Sequence, residues 1–334
     1  MGERLYVGID LGTYQSTIAS SAGSMETIET VVGRPKDPIA RNMLKRDVLF
    51  GNEALQNKMS CNLYRPMAAG VAQDDEANLA AAKAFVTHLI ESVGPEEYDE
   101  VFGVICSPSH VSFTDKSNLV ATLRGQVNAI MVVTEPFATA YGIGEYNGTI
   151  CVDIGAGTTD IARLYGIFPT DEDQLTIQEA GDWIDMQLMT LVQKKFTGAQ
   201  VTKDMVRKWK EEYSYVDGED RVQMVELSVE GKKQEVDVGD LIKSACSMIV
   251  GHVGSAIKSI IATADPEYQP TFRNNIILSG GGSLIGGIAD AIANEISDIG
   301  DVTVTCVDDP IEKVATGAMA LAQDMPDEQY TSIN

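Results

Sequence analysis

The order of apolar and polar positions predicts buried strands that alternate with amphipathic helices. Short apolar runs bounded by turn residues predict strands at 5–11, 100–106, 129–133, 149–154, 161–166, 175–180, 276–279 and 302–307. Alternating positions over 16–32 predict an antiparallel hairpin. Apolar residues at helical spacing predict helices at 77–93, 114–126, 137–144, 181–196, 203–213, 241–263, 285–296 and 315–323. This order is typical of an α/β fold.

Three of the predicted strands run into glycine-rich turns. One ends in Asp153-Ile154-Gly155-Ala156-Gly157-Thr158-Thr159-Asp160, and the first strand ends in Asp10-Leu11-Gly12-Thr13. Glycine lets the backbone approach an anion closely, and the hydroxyls and free N–H groups beyond it can hold phosphate oxygens. A glycine-rich hairpin without a ligand would show similar letters. The repeated plan, with a third turn at Ser279-Gly280-Gly281-Gly282-Ser283, favours two related halves that face one ligand.

A carboxylate lies where the strand at 129–133 passes into a helix. Glu135 is followed by Pro136, which suits the first helical position, so rigid elements on both sides would hold the carboxylate in place. One interpretation is an acid that only complements the helix dipole. The other, which we favour because this helix joins the two repeated halves, is a functional carboxylate near the ligand.

The chain is strongly acidic. Its 334 residues include 25 Lys and Arg against 49 Asp and Glu, which gives a formal charge of −24 and a pI near 4.4. Such a balance argues against a nucleic-acid surface and against broad adhesion to anionic membranes, because both need clustered cations. With 44% hydrophobic residues, the chain can bury a sizeable core, and its length fits two domains.

One window departs from this acidic balance. Residues 33–67 have a net charge of +4 from Arg34, Lys36, Arg41, Lys45, Arg46, Lys58 and Arg65 against Asp37, Asp47 and Glu53. Charged blocks of this kind are commonly solvated surfaces with local ion pairs. The alternative is a basic face that meets an acidic face of another copy of the chain.

Cysteine and histidine usage indicates neither a disulfide framework nor a metal cluster. Five cysteines lack Cys-x-x-Cys spacing, and the three histidines are far apart. We therefore expect reduced, mostly buried thiols and a cytoplasmic protein. We find no signal peptide before Leu5, and the apolar run at 245–264 is interrupted by His252 and Lys258, which favours a buried amphipathic helix over a membrane span.

The three turns resemble a known superfamily in residues, order and spacing. Together they are similar to the actin, Hsp70 and sugar-kinase ATPases over almost the whole chain. Neither of the first two turns is followed by the Gly-Lys-Ser/Thr of a Walker A loop. Chain length, small inserts and Glu135-Pro136 resemble the bacterial actins of the MreB type. The stretches at 31–37, 134–137 and 265–269 resemble the actin-like proteins of magnetosome chains.

This resemblance implies an actin-like ATPase fold with a nucleotide in its central cleft. Two duplicated domains would each have a mixed five-stranded sheet flanked by helices and a small inserted subdomain. The implied division is a first core (IA) at 1–32 and 68–146 with an insert (IB) at 33–67, a second core (IIA) at 147–181 and 241–324 with an insert (IIB) at 182–240, and a flexible tail at 325–334.

The resemblance also implies ATP and Mg²⁺ as cofactors. It assigns Glu135 to positioning the attacking water, and Asp10 and Asp153 to orienting Mg²⁺ through its waters. The implied nucleotide contacts are Gly12, Thr13 and Tyr14; Gly155, Ala156, Gly157 and Thr158; and, for ribose and adenine, Gly181, Lys210, Glu211, Gly280, Gly281, Gly282 and Ser283. Phosphoryl transfer agrees with such a set, because it needs mainly positioning and charge neutralisation.

One helical face in this set has two interpretations. Arg207, Lys210 and Glu211 fall at i, i+3 and i+4 and therefore share a face of the predicted helix at 203–213. That face is either solvated or lines the nucleotide cleft.

The function implied by the resemblance is ATP-dependent polymerisation into cytoskeletal filaments. Slow hydrolysis would drive filament turnover, and the filaments would organise or position magnetosomes. We expect a homopolymer and an adaptor protein linked to organelle or cargo, with no direct nucleic-acid binding and no direct membrane insertion. The alternatives are a plasmid-segregating actin-like filament protein and, less well supported, a sugar kinase or an Hsp70-like chaperone on the same core.

Overall fold

The computed structural model describes residues 3–68, 71–72, 75–110 and 113–333. The chain divides into two compact units, unit 1 with Met1–Tyr146 and Ile311–Asn334, and unit 2 with Asn147–Pro310. The helices are α1 (Pro38–Leu44), α2 (Gly51–Gln56), α3 (Glu76–Glu91), α4 (Phe113–Leu123), α5 (Glu135–Gly142), α6 (Gly181–Lys195), α7 (Lys203–Tyr213), α8 (Gly239–Ala262), α9 (Gln269–Arg273), α10 (Ile288–Glu295) and α11 (Lys313–Asp324).

The strands follow the predicted apolar runs closely, with added short strands in the inserts and at the chain end. They are β1 (Arg4–Leu11), β2 (Gln15–Ser20), β3 (Met25–Glu29), β4 (Val32–Pro35), β5 (Leu49–Phe50), β6 (Cys61–Tyr64), β7 (Met67–Ala68), β8 (Val71–Ala72), β9 (Glu100–Ser107), β10 (Ala129–Thr134), β11 (Asn147–Ile154), β12 (Thr159–Tyr165), β13 (Gln174–Ile177), β14 (Ala199–Gln200), β15 (Met224–Val229), β16 (Lys232–Asp237), β17 (Ile276–Ser279), β18 (Val304–Cys306) and β19 (Thr331–Ser332).

Each unit is built on a mixed sheet with the same strand plan. The order is β19-β10-β9-β1-β2-β3 in unit 1 and β13-β12-β11-β17-β18 in unit 2. β1 pairs antiparallel with β2 and parallel with β9, and β11 pairs in the same way with β12 and β17. One five-stranded arrangement is therefore used twice, with β19 as an extra strand in unit 1. This confirms the predicted duplicated α/β fold.

The cores form where alternate strand residues meet the apolar faces of helices. In β1, Leu5, Val7, Ile9 and Leu11 point to one face, because side chains alternate along a strand, and they cluster with the buried face of α3. In unit 2, the β11 residues Ile150, Val152 and Ile154 cluster in the same way with α8. These packed layers fix the strand ends where the glycine turns begin.

α8 is the longest helix among the described residues. Among those residues, it is the helix that is long and apolar enough to cross a membrane by length and composition. Half of its most apolar 18-residue window is buried inside the protein, where one side of α8 packs against α6 and α10. The opposite side is exposed.

The end of the chain belongs to unit 1, which corrects two predictions. We predicted 241–324 as second core and 325–334 as a flexible tail. Instead, α11 packs against β1 and α5. Gly8 and Gly317 permit this close approach, because an added Cβ would overlap the carbonyl oxygens of Ala315 and Ala138 respectively.

The segment after α11 is also ordered as far as it is described. β19 pairs antiparallel with β10, and Ile333 is buried in the core of unit 1. Arg4 donates to both carboxylate oxygens of Asp327 at 2.8 and 3.0 Å. By pairing with β10, β19 also covers a strand edge that would otherwise be unpaired.

The two inserted regions each contain a small sheet. Residues 33–67 contain the sheet β5-β4-β6 with its own cluster of Val31, Leu49, Ala54 and Cys61. The region 182–240 contains the sheet β14-β15-β16. The boundaries that we drew for these subdomains stay predictions.

Candidate functional site

The first glycine turn is anchored by Thr30, which the sequence analysis did not select. Gly12 lies between β1 and β2, and its missing Cβ lets the chain turn tightly, because a Cβ there would overlap the carbonyl oxygen of Gln15. Thr30 donates from Oγ1 to the Gly12 carbonyl at 2.8 Å and from its N–H to the Tyr14 carbonyl at 2.7 Å. Thr13 and Tyr14 remain partly exposed in this turn.

Two carboxylates of unit 1 lie at the same edge of its sheet. Asp10 in β1 is opposite Cys106 in β9, and Cys106 is opposite Val133 in β10. Glu135 follows two residues later as the first residue of α5, and it is 8% exposed. Burial raises the pKa of Asp10 to about 7. The edge therefore combines a glycine turn with two largely desolvated acids.

The second glycine turn repeats this arrangement in unit 2. Gly155 donates from its N–H to the Thr158 carbonyl at 2.9 Å and closes the turn between β11 and β12. Gly155, Ala156 and Gly157 are partly exposed, whereas Asp153 and Thr158 are buried on either side. Asp153 thus holds the position in β11 that Asp10 holds in β1.

The third glycine turn packs against Asp153. Ser279 of β17 is opposite Asp153 in the sheet, and Gly280 follows with a φ of 73°. A Cβ at Gly280 would lie 2.6 Å from both Asp153 Oδ1 and the Ile154 carbonyl oxygen, so only glycine fits here. Ser283 donates from Oγ to the Gly280 carbonyl at 2.7 Å, so its hydroxyl closes the turn formed with Gly281 and Gly282.

The start of α6 is hydrogen-bonded to the second turn. Gly181 and Asp182 donate from their N–H groups to the carbonyls of Gly155 and Ala156 at 3.0 and 2.7 Å. Lys210 donates from Nζ to the Gly181 carbonyl at 2.8 Å. The structure therefore brings Gly155, Ala156, Gly181 and Lys210 together, and their role in nucleotide binding stays a prediction.

A buried acid that the sequence analysis did not select holds Lys210 in place. Asp185 has no exposed surface, and its two oxygens lie 2.7 Å from Lys210 Nζ and 2.9 Å from Arg207 Nε. Arg207 also bonds to Asp182, which binds Lys203 at 2.7 Å. The signal was present as Asp182 and Asp185 at i, i+3 spacing, opposite cations on the next helix.

This network decides the orientation of α7. Arg207 and Lys210 turn toward α6, whereas Glu211 is exposed. The face that they were predicted to share is therefore largely buried against α6 rather than solvated. Glu211 lies at its rim.

Each unit thus presents a partly exposed glycine turn beside a strand-end aspartate, with an acid (Glu135) or a lysine (Lys210) fixed by rigid elements. Glycine turns suit polyphosphate oxygens, and strand-end carboxylates suit a hydrated divalent cation. Among the described residues, no group of three or more His, Cys, Asp or Glu side chains could hold a metal ion by itself.

Known proteins share this architecture. A profile of the MreB/Mbl protein family matches residues 4–329. The actin-like protein MamK of Paramagnetospirillum magneticum is 34% identical over 331 residues, which cover 99% of this chain and 95% of that protein. The cell shape-determining protein Mbl of Bacillus cereus is 28% identical and covers 93% of each chain.

Solved structures agree with these relatives. A MamK double helical filament matches with a TM-score of 0.93 and 34% identity, over 97% of this chain and 100% of that chain. A non-polymerising MamK mutant bound to AMPPNP matches with a TM-score of 0.76 and 33% identity over the same shares. Since the family profile and these relatives match nearly the whole chain, it belongs to the MreB/Mbl family of actin-like proteins.

Proposed function

We propose that this protein binds ATP with Mg²⁺ and polymerises into cytoskeletal filaments in the cytoplasm, and that slow hydrolysis to ADP and phosphate drives filament turnover. The observation that carries the proposal is the repeated site: β1 and β11 both end in an aspartate and a tight glycine turn. The full-length match to a MamK filament and to a MamK mutant bound to AMPPNP, an ATP analogue, supports it.

The described residues fit Mg-ATP. Gly12 to Tyr14 and Gly155 to Thr158 would hold the phosphates of one ATP molecule through backbone N–H groups and hydroxyls. Asp10 and Asp153 would hold Mg²⁺ through its waters, which suits an ion that keeps several waters when phosphates supply other ligands. The bound ion would neutralise charge on the phosphates. Burial raises the pKa of Asp10, and a cation held beside it would favour the charged carboxylate.

Glu135 is the residue that we assign to hydrolysis. Its backbone is fixed at the β10–α5 junction, and its carboxylate would accept a hydrogen bond from the attacking water and orient it. Lys210 and Glu211, together with Gly181 and the turn at Gly280 to Ser283, would contact ribose and adenine. Asp185 would keep Lys210 directed toward them.

Sedimentation and negative-stain microscopy with Mg-ATP test this function. We expect filaments from the unchanged protein, and Glu135→Ala filaments that assemble similarly but persist several-fold longer after ATP is exhausted. Glu91→Ala, an exposed acid at the end of α3, is the matched control and should leave the lifetime unchanged. Soluble monomer at every concentration tried would overturn the proposal.

We further propose that subunits join head to tail through the basic window at 33–67. Within it, Arg41 pairs with Asp47 and Arg46 with Glu53, so part of the charge is neutralised locally, and the net +4 remains. Next to these cations, Ile39 and Met59 are 79% and 88% exposed. A basic and apolar surface of this kind fits an acidic and apolar surface on another copy.

The loop after β12 offers such an acidic surface. Ile167 and Phe168 are exposed there, and the exposed acids Asp171 and Glu172 follow. A contact between two different surfaces of identical subunits repeats without closing, which generates an open filament. We therefore assign this loop as the acidic partner of the basic window.

The cargo that we propose is the magnetosome, reached through an adaptor protein. Two MamK proteins, from Paramagnetospirillum magneticum and Magnetospirillum gryphiswaldense, are 34% identical to this chain over 331 residues. A fluorescent fusion expressed in a magnetosome-forming cell that lacks its own actin-like protein should restore straight magnetosome chains. Scattered magnetosomes beside intact filaments would remove this cargo and favour a plasmid-segregating role.

A further inference from the structure

One exposed face of unit 2 carries no formal charge. α8 has no Asp, Glu, Lys or Arg between Lys243 and Lys258, although the whole chain has a charge of −24. The residues that it exposes fully or partly along this stretch are Ser244, Ser247, Met248, Val250, Gly251, His252 and Ser255. Most of them recur every three or four positions, so they form a stripe along the helix.

α6 widens this stripe. The two helices run antiparallel, because Lys195 near the end of α6 binds Asp240 near the start of α8 at 2.8 Å, and Trp183 contacts His252 with ring centroids 5.2 Å apart. Met186 lies one turn after Trp183, and Met248 lies one turn before His252. Both methionines are exposed, at 46% and 40%. We call Trp183, Met186, Met248, Gly251 and His252 the α6–α8 face.

Gly251 has no role in packing within the described chain. A Cβ added there meets no atom within 4 Å, whereas one at Gly254 would lie 2.7 Å from Glu295 of α10. Glycine inside a helix costs stability relative to alanine. Gly254 is thus explained by the approach of α10, whereas the packing of the described residues gives no such explanation for Gly251.

Because the α6–α8 face carries no formal charge, the binding partner that fits it best is a second copy of this chain. Two copies of a strongly acidic chain repel each other, so they can pack closely only where acids are absent or matched by cations. The exposed apolar residues of the basic window and of the loop after β12 lie among opposite charges, which suits a contact between two different surfaces. The α6–α8 face itself contains no Asp, Glu, Lys or Arg, and Glu179 lies at its border, 3.9 Å from His252 Nδ1. Its uncharged centre at Met186, Met248 and Gly251 is therefore compatible with the same surface of another copy.

We infer that the α6–α8 face joins two strands of the filament, with α8 of one copy against α8 of the copy alongside. The inference rests on the proposed filament function, and it deepens that function by naming a contact across strands in addition to the head-to-tail contact. A relative whose solved structure is a double helical filament must have such a contact. Small residues at 247, 251 and 255 allow the two helix backbones to approach closely.

Width and mass per length of the filaments test this inference. Gly251→Glu and Met248→Glu add a negative charge on the face at positions where side chains have room. We expect both variants to remain folded and to polymerise with Mg-ATP, as single strands with about half the mass per length. Met224→Glu, at an equally exposed methionine of β15, should keep the paired form.

The outcomes separate the two proposals. Paired strands in both α6–α8 variants would overturn the assignment of this face and leave filament formation intact. Folded variants that form no polymer would also overturn it, because the face would then act along the strand. Failure of the unchanged protein to polymerise would instead overturn the proposed function.

Cross-linking gives a second readout that does not depend on weakening the contact. In a Cys306→Ser background, which removes the exposed native thiol, Ser247→Cys should form covalent dimers under mild oxidation in filaments and not in monomers. Ser297→Cys, on the exposed turn after α10, is the matched control and should stay monomeric. Equal cross-linking of both cysteines would contradict the face-to-face contact.

Discussion

Asp185 is a residue whose contribution depends on both of its partners. It is fully buried, accepts a hydrogen bond from Arg207 and forms an ion pair with Lys210, and both cations are themselves mostly buried. Asp185→Asn would leave Lys210 without a carboxylate partner and Arg207 with Asp182 alone, and we expect a loss of about 3–5 kcal/mol in the free energy of unfolding. Urea denaturation measures it. In the exposed pair Lys233 and Glu226, Glu226→Gln should leave the free energy of unfolding nearly unchanged, because solvent screens the pair.

The same substitution should affect nucleotide binding if Lys210 acts as we propose. ATP affinity of the folded Asp185→Asn variant should fall, whereas Glu226→Gln should leave it unchanged. Fluorescence titration with ATP, without denaturant and well below the melting temperature, measures affinity in the folded state. It therefore separates the effect on binding from the effect on stability. Unchanged affinity would restrict Asp185 to a role in holding α7 on α6.

Asp173 makes the stability of the folded protein depend on pH. Burial by itself would raise its pKa, but hydrogen bonds from Thr170 and Arg163 outweigh burial and hold the pKa below its ordinary value. A carboxyl with a lowered folded pKa stabilises the protein above its unfolded pKa of about 4, and this contribution is lost as pH falls through the folded value.

Asp173→Asn should therefore lower the melting temperature at pH 7. The gap between variant and unchanged protein should narrow below about pH 4, where the native carboxyl also becomes protonated. Thermal melts across this range measure it. A gap that stays constant with pH would show that Asp173 acts through packing rather than charge.

For single residues, the sequence predicts a structural role where that role depends on residues nearby in the chain. Gly12 and Gly155 were identified because a tight turn after a strand needs glycine within a few positions of the aspartate. Thr30 and Asp185 were missed because their partners lie 18 and 25 positions away, and the direction of those side chains depends on packing.

Helix glycines show how an element depends on what it packs against. Gly317 of α11 faces the carbonyl of Ala138 in α5, and a Cβ there would overlap it. We expect Gly317→Ala to destabilise the protein by about 1–3 kcal/mol, because α11 must move away from α5. The free energy of unfolding in urea checks this.

Gly251→Ala is the matched change on an open helix face. It should stabilise the monomer by up to about 1 kcal/mol, because alanine favours the helix and meets no atom within 4 Å. The opposite signs of the two changes are the prediction. Destabilisation by Gly251→Ala would mean that this glycine serves the internal packing of α8.

Most element boundaries could be predicted, and the placement of the last helix could not. α7 begins and ends where the pattern predicted, since a capping threonine precedes it and its polar and apolar faces are distinct. α11 was assigned to the wrong core because a short apolar helix reads the same beside either sheet. Gly8 and Gly317 make room for α11, but the carbonyls that they face, those of Ala315 and Ala138, are too far away in the chain for the sequence to indicate these contacts.

For the whole molecule, the proposed head-to-tail contact predicts that assembly depends on the charge of the basic window. If it binds an acidic surface of another copy, Lys45→Glu with Arg46→Glu should raise the critical concentration several-fold, because attraction becomes repulsion. Lys232→Glu with Lys233→Glu on β16 makes the same change in net charge and should have a smaller effect. Light scattering over a concentration series measures both, and equal effects would indicate a solvated surface.

The hydrogen bonds between α6 and the second glycine turn connect the proposed nucleotide-binding turn with the proposed contact between strands. One end of α6 is fixed to Gly155 and Ala156, and its side carries Trp183 and Met186. If the turn binds nucleotide and the α6–α8 face joins strands as we propose, a nucleotide that shifts the turn would also shift this helix and the surface that it offers to a neighbouring strand. By reciprocity, strand pairing then changes affinity for the ligand by the same factor. Under these two proposals, strand number would act as an allosteric effector of nucleotide affinity.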